Sequence, residues 1–304
     1  VVTENRSPAN RSSFSSESGW EILRIACAEA RIDCTGAKLI RLGENALFHV
    51  PNAAVVVRIA RSGYGSDARK EVNVSHWLTE REFPAAELYD VDQPITVDSY
   101  PVTFWKFIDG RPGSKQDIAA LGGVLRRLHE TKPPSDFELP HANILGRVRP
   151  RIEVAPIPKA DRNFLLERLD ELESKLPDLR FRLKPGPIHG DAHIKNLMIQ
   201  DGQAVVIDFE RFAWWQPEWD LAMTATEHLT AGWWSADEYH RFVDAYGYDV
   251  TSWEDGFDVL RSISELNMTT WLMQNADESA EIAAEYQVRM RTLRGEPSPG
   301  WRAF

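Results

Sequence analysis

Residues 186–212 read GPIHGDAHIKNLMIQDGQAVVIDFERF. Leu197–Gln200 and Gln203–Ile207 are β-type runs, and Asp201-Gly202 lies between them. Asp-Gly between two such runs predicts a hairpin, because a type I′ turn needs positive φ at both central positions. Pairing about that turn brings Asn196 and Asp208 to the same open end of the hairpin, across from one another. Asp191 sits five residues before Asn196, in the loop that feeds the first strand. Local geometry therefore gathers three oxygen-bearing side chains. An amide and a carboxylate on neighbouring strand ends are hard oxygen ligands of the kind Mg²⁺ takes, with water and phosphate completing the shell. A further carboxylate beside them suits acceptance of a proton from a hydroxyl, and phosphoryl transfer asks for little beyond positioning and charge neutralisation. The bland alternative is an Asp-Gly hairpin with incidental polar ends.

Working outward, residues 19–31 space Ile22, Ile25, Ala26 and Ala30 along one helix face. Residues 39–42, 46–50 and 54–60 are short β-type runs broken by turn residues, an antiparallel meander. Residues 67–80 read as a helix. Residues 101–110 read as a strand closed by Asp-Gly, 117–130 and 161–176 as amphipathic helices, the latter with Asp161 at its N-cap. The Pro-rich, basic stretch 132–160 reads as loop, and 217–295 as mostly helix. The expected architecture is α+β and bilobal. It has a polar tail over 1–18, a small antiparallel-sheet lobe over 19–104 and a larger, mainly helical lobe over 105–304.

The spacing Asp191-x-x-x-x-Asn196, followed by Asp208-Phe209, is that of a kinase catalytic loop and its metal-binding Asp. In the forms His189-Gly190-Asp191-Ala192-His193-Ile194-Lys195-Asn196 and Ile207-Asp208-Phe209-Glu210, the chain closely resembles the aminoglycoside phosphotransferase family. That family is a branch of the protein-kinase-like fold, related to choline and homoserine kinases. The resemblance runs over roughly residues 36–275.

It implies that Asp191 is the catalytic base and that Asn196 and Asp208 bind Mg²⁺. It further implies that His189 and Asp220 support the catalytic loop. A helix N-cap before Leu221 is the plainer reading of Asp220. Gly43, Glu44 and Asn45 resemble a phosphate-covering turn, which is otherwise an ordinary hairpin. Arg58 stands where the family usually has a nucleotide-binding Lys, with Glu71 as its helix partner. Arg keeps the charge but is bulkier and forked, so the substitution is not neutral. Trp105, Lys106 and Phe107 resemble an inter-lobe hinge whose backbone would meet the base of ATP or GTP.

Composition adds limits. The 304 residues carry a net charge of −11 and two cysteines, Cys27 and Cys34, whose spacing matches no zinc site. Both read as reduced, apolar residues. His189 and His193 lack a third ligand for zinc, and no G-x-x-x-x-G-K-[ST] occurs. No apolar run approaches the ~18–20 residues of a membrane span, and the N-terminal stretch lacks a secretory apolar core. A cytoplasmic enzyme without nucleic-acid or membrane partners is expected.

By segment the charge is −3 over 1–100, +4 over 101–185 and −12 over 186–304. An acidic block of this size repels nucleic acid and attracts a cationic small molecule, although simple solubility is the plainer reading of the charge alone. Candidate acceptor contacts are Glu210, Trp214, Glu218, Glu227 and Glu265, with Asp237 and Glu238 behind them. Eight of the 11 tryptophans fall between Trp214 and Trp301, so some are expected to line an acceptor pocket. The expected acceptor is an aminoglycoside or related cationic antibiotic. The alternatives are a choline, homoserine or aminosugar substrate, or a catalytically silent nucleotide-binding module.

Overall fold

The computed structural model of the chain describes residues 16–43 and 45–304. The tail expected over 1–18 falls almost wholly outside them, as does Glu44. Helix α1 (Ser16–Glu29) precedes strands β1 (Lys38–Leu42), β2 (Ala46–Val50) and β3 (Val55–Ile59). After α2 (Gly65–Thr79) come β4 (Ile95–Val97) and β5 (Tyr100–Lys106). The five strands form one antiparallel sheet in the order β1-β2-β3-β5-β4. The boundary expected between residues 104 and 105 thus falls inside β5.

Alternation of side chains along β2 and β3 decides which residues face inward. Phe48, Val55, Val57 and Ile59 are buried with Ile22, Leu23, Ala26 and Cys27 of α1. Full burial of each such group stabilises by about 1.5–3 kcal/mol. The Cys27 thiol lies in this layer, and burial pushes its pKa up to about 12. The same alternation turns Leu47, Val56 and Arg58 to the opposite face, toward a cleft.

Helix α2 belongs to a different core. Its Val74, Trp77 and Leu78 pack with nearby Ala85 and with Ile188 and Phe212 of the larger lobe. The Trp77 and Phe212 rings meet edge-on at 6.5 Å. Strand β3 and helix α2 therefore bring residues from two separately packed cores to the cleft between them.

The larger lobe contains β6 (Arg111–Pro112), α3 (Ile118–His129), α4 (Val148–Val154), α5 (Lys159–Lys175) and β7 (Gly186–Ile188). It continues with β8 (Leu197–Gln200), β9 (Gln203–Val206), β10 (Ala213–Trp215), α6 (Glu218–Thr226), α7 (Ala236–Tyr246), α8 (Glu254–Leu272) and α9 (Ala280–Leu293). Strand β8 pairs with both β6 and β9, and β10 pairs with β7. The architecture is the bilobal α+β one expected. Two local readings change. The stretch 132–160 is not all loop, because α4 forms inside it and buries Val148, Arg151 and Ile152. Asp161 does not cap α5: Pro158 holds the cap position, and Asp161 lies buried in the first turn, accepting from Tyr286 at 2.9 Å and Arg294 at 2.6 Å. Among the described residues, no helix is long and apolar enough to cross a membrane.

Candidate active site

The hairpin forms in the expected register. Leu197 pairs with Val206 and Gln200 with Gln203. Asp201 and Gly202 take φ of 49° and 78°, both in the left-handed region. At the open end the Ile207 N–H donates to the Asn196 carbonyl at 3.0 Å, which keeps the two strand ends together beyond the ladder. Asn196 is 9% exposed, and its side-chain Nδ2 donates to the Asp191 carbonyl at 2.8 Å. With the amide nitrogen committed there, Oδ1 is the end that Asn196 presents. Asp208 holds a positive φ of 67°, uncommon for a residue with a Cβ, and its carboxylate is exposed to the cleft. A carboxylate and an amide oxygen suit Mg²⁺, and their small number leaves room for phosphate oxygens and water. Among the described residues no cluster of three or more His, Cys, Asp or Glu side chains could hold a metal unaided. A two-oxygen site completed by a triphosphate fits that arrangement.

The loop from 189 to 196 is held from beneath. The Asp220 carboxylate accepts the His189 N–H at 2.7 Å and the Gly190 N–H at 2.8 Å. Asp220 is completely buried in the first turn of α6, where Pro217 occupies the cap. It spans from that helix to the loop rather than closing the helix end. Trp219 Nε1 donates to the Gly190 carbonyl at 3.2 Å. Gly190 itself has φ +79°, and a Cβ there would fall 2.3 Å from the Arg211 carbonyl. His189 Nε2 donates to the Ile207 carbonyl at 3.0 Å, which leaves Nδ1 to accept the Asp191 N–H at 3.3 Å. One imidazole thus ties the Asp191 backbone to the strand that carries Asp208. The Asp191 carboxylate is half-buried and has His193 Nε2 at 3.8 Å.

Across the cleft, Arg58 forms a short ion pair with Glu71 and places its second nitrogen 3.1 Å from Glu210. Arg147, just ahead of α4, takes the other Glu210 oxygen at 2.5 Å. Burial works against the Arg58 charge, but Glu71, Asp208 and Glu210 outweigh it and hold the guanidinium protonated. Both lobes and both cores therefore meet in one charged cluster beside Asp208. All these groups face a cleft of about 2940 Å³, larger than a single drug-sized pocket and roomy enough for two substrates.

A sequence profile described as "Phosphotransferase enzyme family" matches residues 41–261. The chain belongs to that family. Membership makes it a phosphotransferase, and the matched span covers Arg58, Glu71 and the whole 186–212 segment. Comparison with curated proteins gives no match. Solved structures share the fold. Amicoumacin kinase hAmiN, in complex with AMP-PNP, Ca²⁺ and Ami, superposes with a TM-score of 0.75 at 16% identity over 92% of this chain and 95% of that one. Choline kinase LicA from Streptococcus pneumoniae gives 0.64 at 15% identity over 91% and 99%. Aminoglycoside phosphotransferase APH(3'')-Id from Streptomyces rimosus gives 0.59 at 18% identity over 82% and 97%.

Within this phosphotransferase, several expected contacts change place. Gly43 and Asn45 lie on the cleft at the β1–β2 turn, where the Gly43 N–H is used by the Asn45 carbonyl at 3.1 Å. At the hinge, the Lys106 N–H is taken by the Glu87 carbonyl and the Phe107 N–H by that of Ala54, at 2.9 and 2.8 Å. Neither is open to a base. Among the described residues the next amide, that of Ile108, makes no backbone hydrogen bond and lies on the cleft. The Trp105 ring lines the cleft against Phe209 at 5.7 Å.

On the acceptor side, three candidates are structural instead. Trp214 sits in β10 against Pro187, away from the cleft. Glu218 is fully buried and accepts the N–H groups of Arg182 and Leu183 at 2.6 and 2.7 Å, pinning the approach to β7. Glu265 accepts from Thr230 at 2.6 Å off the cleft. Glu210 is on the cleft, but both its oxygens are occupied by arginines. Glu227 remains: it is buried on the cleft floor and accepts from Trp234 Nε1 at 2.7 Å. Burial, and then the charge of Asp191, raise its pKa to about 7. The sequence reading missed Arg147, which lay in the stretch read as loop, and Phe304, and it did not single out Trp271 among the eight later tryptophans, because the approach of both to the cleft depends on long-range packing.

Proposed function

We propose that this phosphotransferase moves the γ-phosphoryl group of ATP or GTP onto a hydroxyl of a small molecule, with Asp191 as base. The observation that carries the reading is the convergence of Asp191, Asn196 and Asp208 at the open end of one hairpin, facing a cleft between two lobes. Asn196 Oδ1 and the Asp208 carboxylate would hold Mg²⁺. When bound, that ion offsets charge on the phosphate oxygens. Asp191 orients the acceptor hydroxyl and takes its proton as the phosphoryl group leaves the donor in line. Its half-buried position, with the backbone clamped by His189 and Asp220, fixes the carboxylate without reorganisation during transfer. Arg58 presents a permanent cation to the phosphates. The exposed side chains of Ile40 and Leu42, with Phe107, supply apolar faces for a purine base near the Ile108 amide.

The named substrates of the neighbouring structures support an antibiotic as acceptor. A choline- or ethanolamine-type alcohol is the second reading, supported by the choline kinase fold match. A silent module would have no use for an intact Asp191, Asn196 and Asp208. The test is ADP or GDP release with Mg²⁺ over aminoglycosides, other antibiotics and amino alcohols, using wild type and Asp191→Ala. Acceptor-dependent release that vanishes in the variant, with nucleotide affinity kept, supports the reading. Unchanged rates in Asp191→Ala remove Asp191 from the chemistry.

A further inference from the structure

Large apolar side chains left in water mark binding surfaces when they gather in one place. Among the described residues, eight such side chains are exposed, and six of them line the same cleft. Ile40, Leu42 and Phe107 lie on the nucleotide side. Val154, Trp271 and Phe304 lie on the other, and Trp271 is 43% exposed.

Hydrogen bonds join the segments that carry this second group. Asn267 of α8 donates to the Ile144 carbonyl at 2.8 Å, which holds α8 beside the segment leading to α4 and Val154. Arg289 of α9 is 2% exposed and donates to the Met268 and Arg302 carbonyls, each at 2.9 Å, while covering the Trp301 ring at 4.8 Å. That guanidinium clasps residues 301–304 to the turn of α8 that carries Trp271. Lys195, in the catalytic loop, donates to the Phe304 carbonyl at 3.2 Å. The apolar wall therefore abuts the loop holding Asp191.

The charge on this wall is not that of a polycation site. Of the acidic residues after 186, those on the cleft are Asp191, Asp208, Glu210, Glu227, Asp277 and Glu278. The first two belong to the transfer chemistry and Glu210 is paired with two arginines, which leaves Glu227, Asp277 and Glu278. Arg147, Arg151, Lys195 and Arg211 face the same space. The −12 excess of the last third is spent mostly elsewhere, at the surface and in buried pairs.

We propose that the acceptor is amphipathic: a hydroxyl and at most one amine near Asp191 and Glu227, with an aromatic or aliphatic body lying on Val154, Trp271 and Phe304. This deepens, and rests on, the phosphotransfer reading above. It separates the chain from an enzyme for polyamine sugars, whose several ammonium groups would meet as many basic side chains as free carboxylates here.

The test is a graded series, ethanolamine, N-benzylethanolamine and N-naphthylmethylethanolamine, with kanamycin as the polyamine sugar. Two quantities are read: kcat/KM from ADP release, and the dissociation constant from tryptophan fluorescence, which needs no turnover. The expected result is a rise of about tenfold or more in affinity from the first to the last of the series, with kanamycin below the last. Trp271→Ala and Val154→Asp flatten the series, whereas Ile25→Ala, on the exposed face of α1, keeps it. A flat or falling series, or kanamycin binding tightest, overturns the proposal. Failure of the phosphotransfer reading shows separately, as absence of both nucleotide binding and ADP release with every acceptor.

Discussion

The Asp220 carboxylate lies 3.0 Å from Nε2 of His129, a residue 91 positions earlier in the chain. The other imidazole nitrogen, Nδ1, is 2.9 Å from the Tyr246 hydroxyl. With Nε2 donating, Nδ1 is left to accept from Tyr246, so a chain of hydrogen bonds runs from α7 through α3 to α6. It ends on the His189 and Gly190 amides, directly before Asp191. Helices α3 and α7 thereby hold the loop from 189 to 196 in place.

Asp220→Ala would leave the His129 N–H and the two loop amides buried without an acceptor. Each such loss costs about 1–3 kcal/mol. The variant is expected to unfold at least about 3 kcal/mol more easily in urea and to lose turnover more than a hundredfold. Asp220→Asn, which keeps one acceptor oxygen, should fall between it and wild type. Wild-type turnover in a stably folded Asp220→Ala would show that the loop holds its shape unaided.

Arg58→Lys restores the residue type expected at this position from the family resemblance, yet it should weaken the enzyme. The guanidinium reaches Glu71 with one nitrogen and Glu210 with the other, and Lys offers one compact charge in place of a planar fork. Glu210 would then be left to Arg147. The expected outcome is a rise in nucleotide KM of about tenfold with a smaller change in kcat, read from steady-state ADP release. A nucleotide KM equal to that of wild type would show that the fork has no role in holding phosphate.

Much of this site could be read from the sequence because its parts are close together in the chain. The type I′ turn at 201–202 follows from residue type, and the register and the meeting of Asn196 with Asp208 follow from the turn. Arg58 follows from strand alternation beside Val57 and Ile59. What the sequence did not disclose depends on contacts between distant segments. Glu218 and Trp214 look like substrate contacts because carboxylates and indoles bind ligands, but long-range packing puts one under residues 182–183 and the other in β10. Helix α4 was hidden because Pro150 reads as a breaker, although it lies at the helix's third position, where a missing N–H costs little. The hinge amides looked open because residues 87–89 carry no β signal strong enough to announce that they pair with β5, and because nothing local marks Ala54 as the acceptor for the Phe107 N–H.

Asp208→Asn tests the metal reading through a quantity other than overall rate. The change keeps shape and one oxygen while removing the charge that would face the cation. The Mg²⁺ concentration giving half-maximal ADP release should rise about tenfold or more, while nucleotide affinity measured without metal stays near wild type. Asn196→Ala should act in the same direction and also free the Asp191 carbonyl that Nδ2 now holds. An unchanged Mg²⁺ dependence in both variants would place the ion elsewhere.

Glu227 gives the fold a pH dependence of definite sign. Its carboxyl has a pKa of about 7 in the folded chain against the ordinary 4.5, because burial and then Asp191 disfavour its charge, while the hydrogen bond from Trp234 and the charge of Lys195 pull the other way. Between those two values the folded state keeps a proton that the unfolded state has released, so stability falls as pH rises through that window. It is unaffected by this group below the window and levels off above it. The whole effect is about 3 kcal/mol at most. Glu227→Gln keeps an acceptor for Trp234 and removes the titration. The fall in urea-unfolding free energy between about pH 5 and about pH 8 should therefore shrink by up to about 3 kcal/mol in the variant. Parallel pH profiles for the two proteins would mean that Glu227 is ionised at neutral pH, and the cleft floor would then offer a full negative charge to the acceptor.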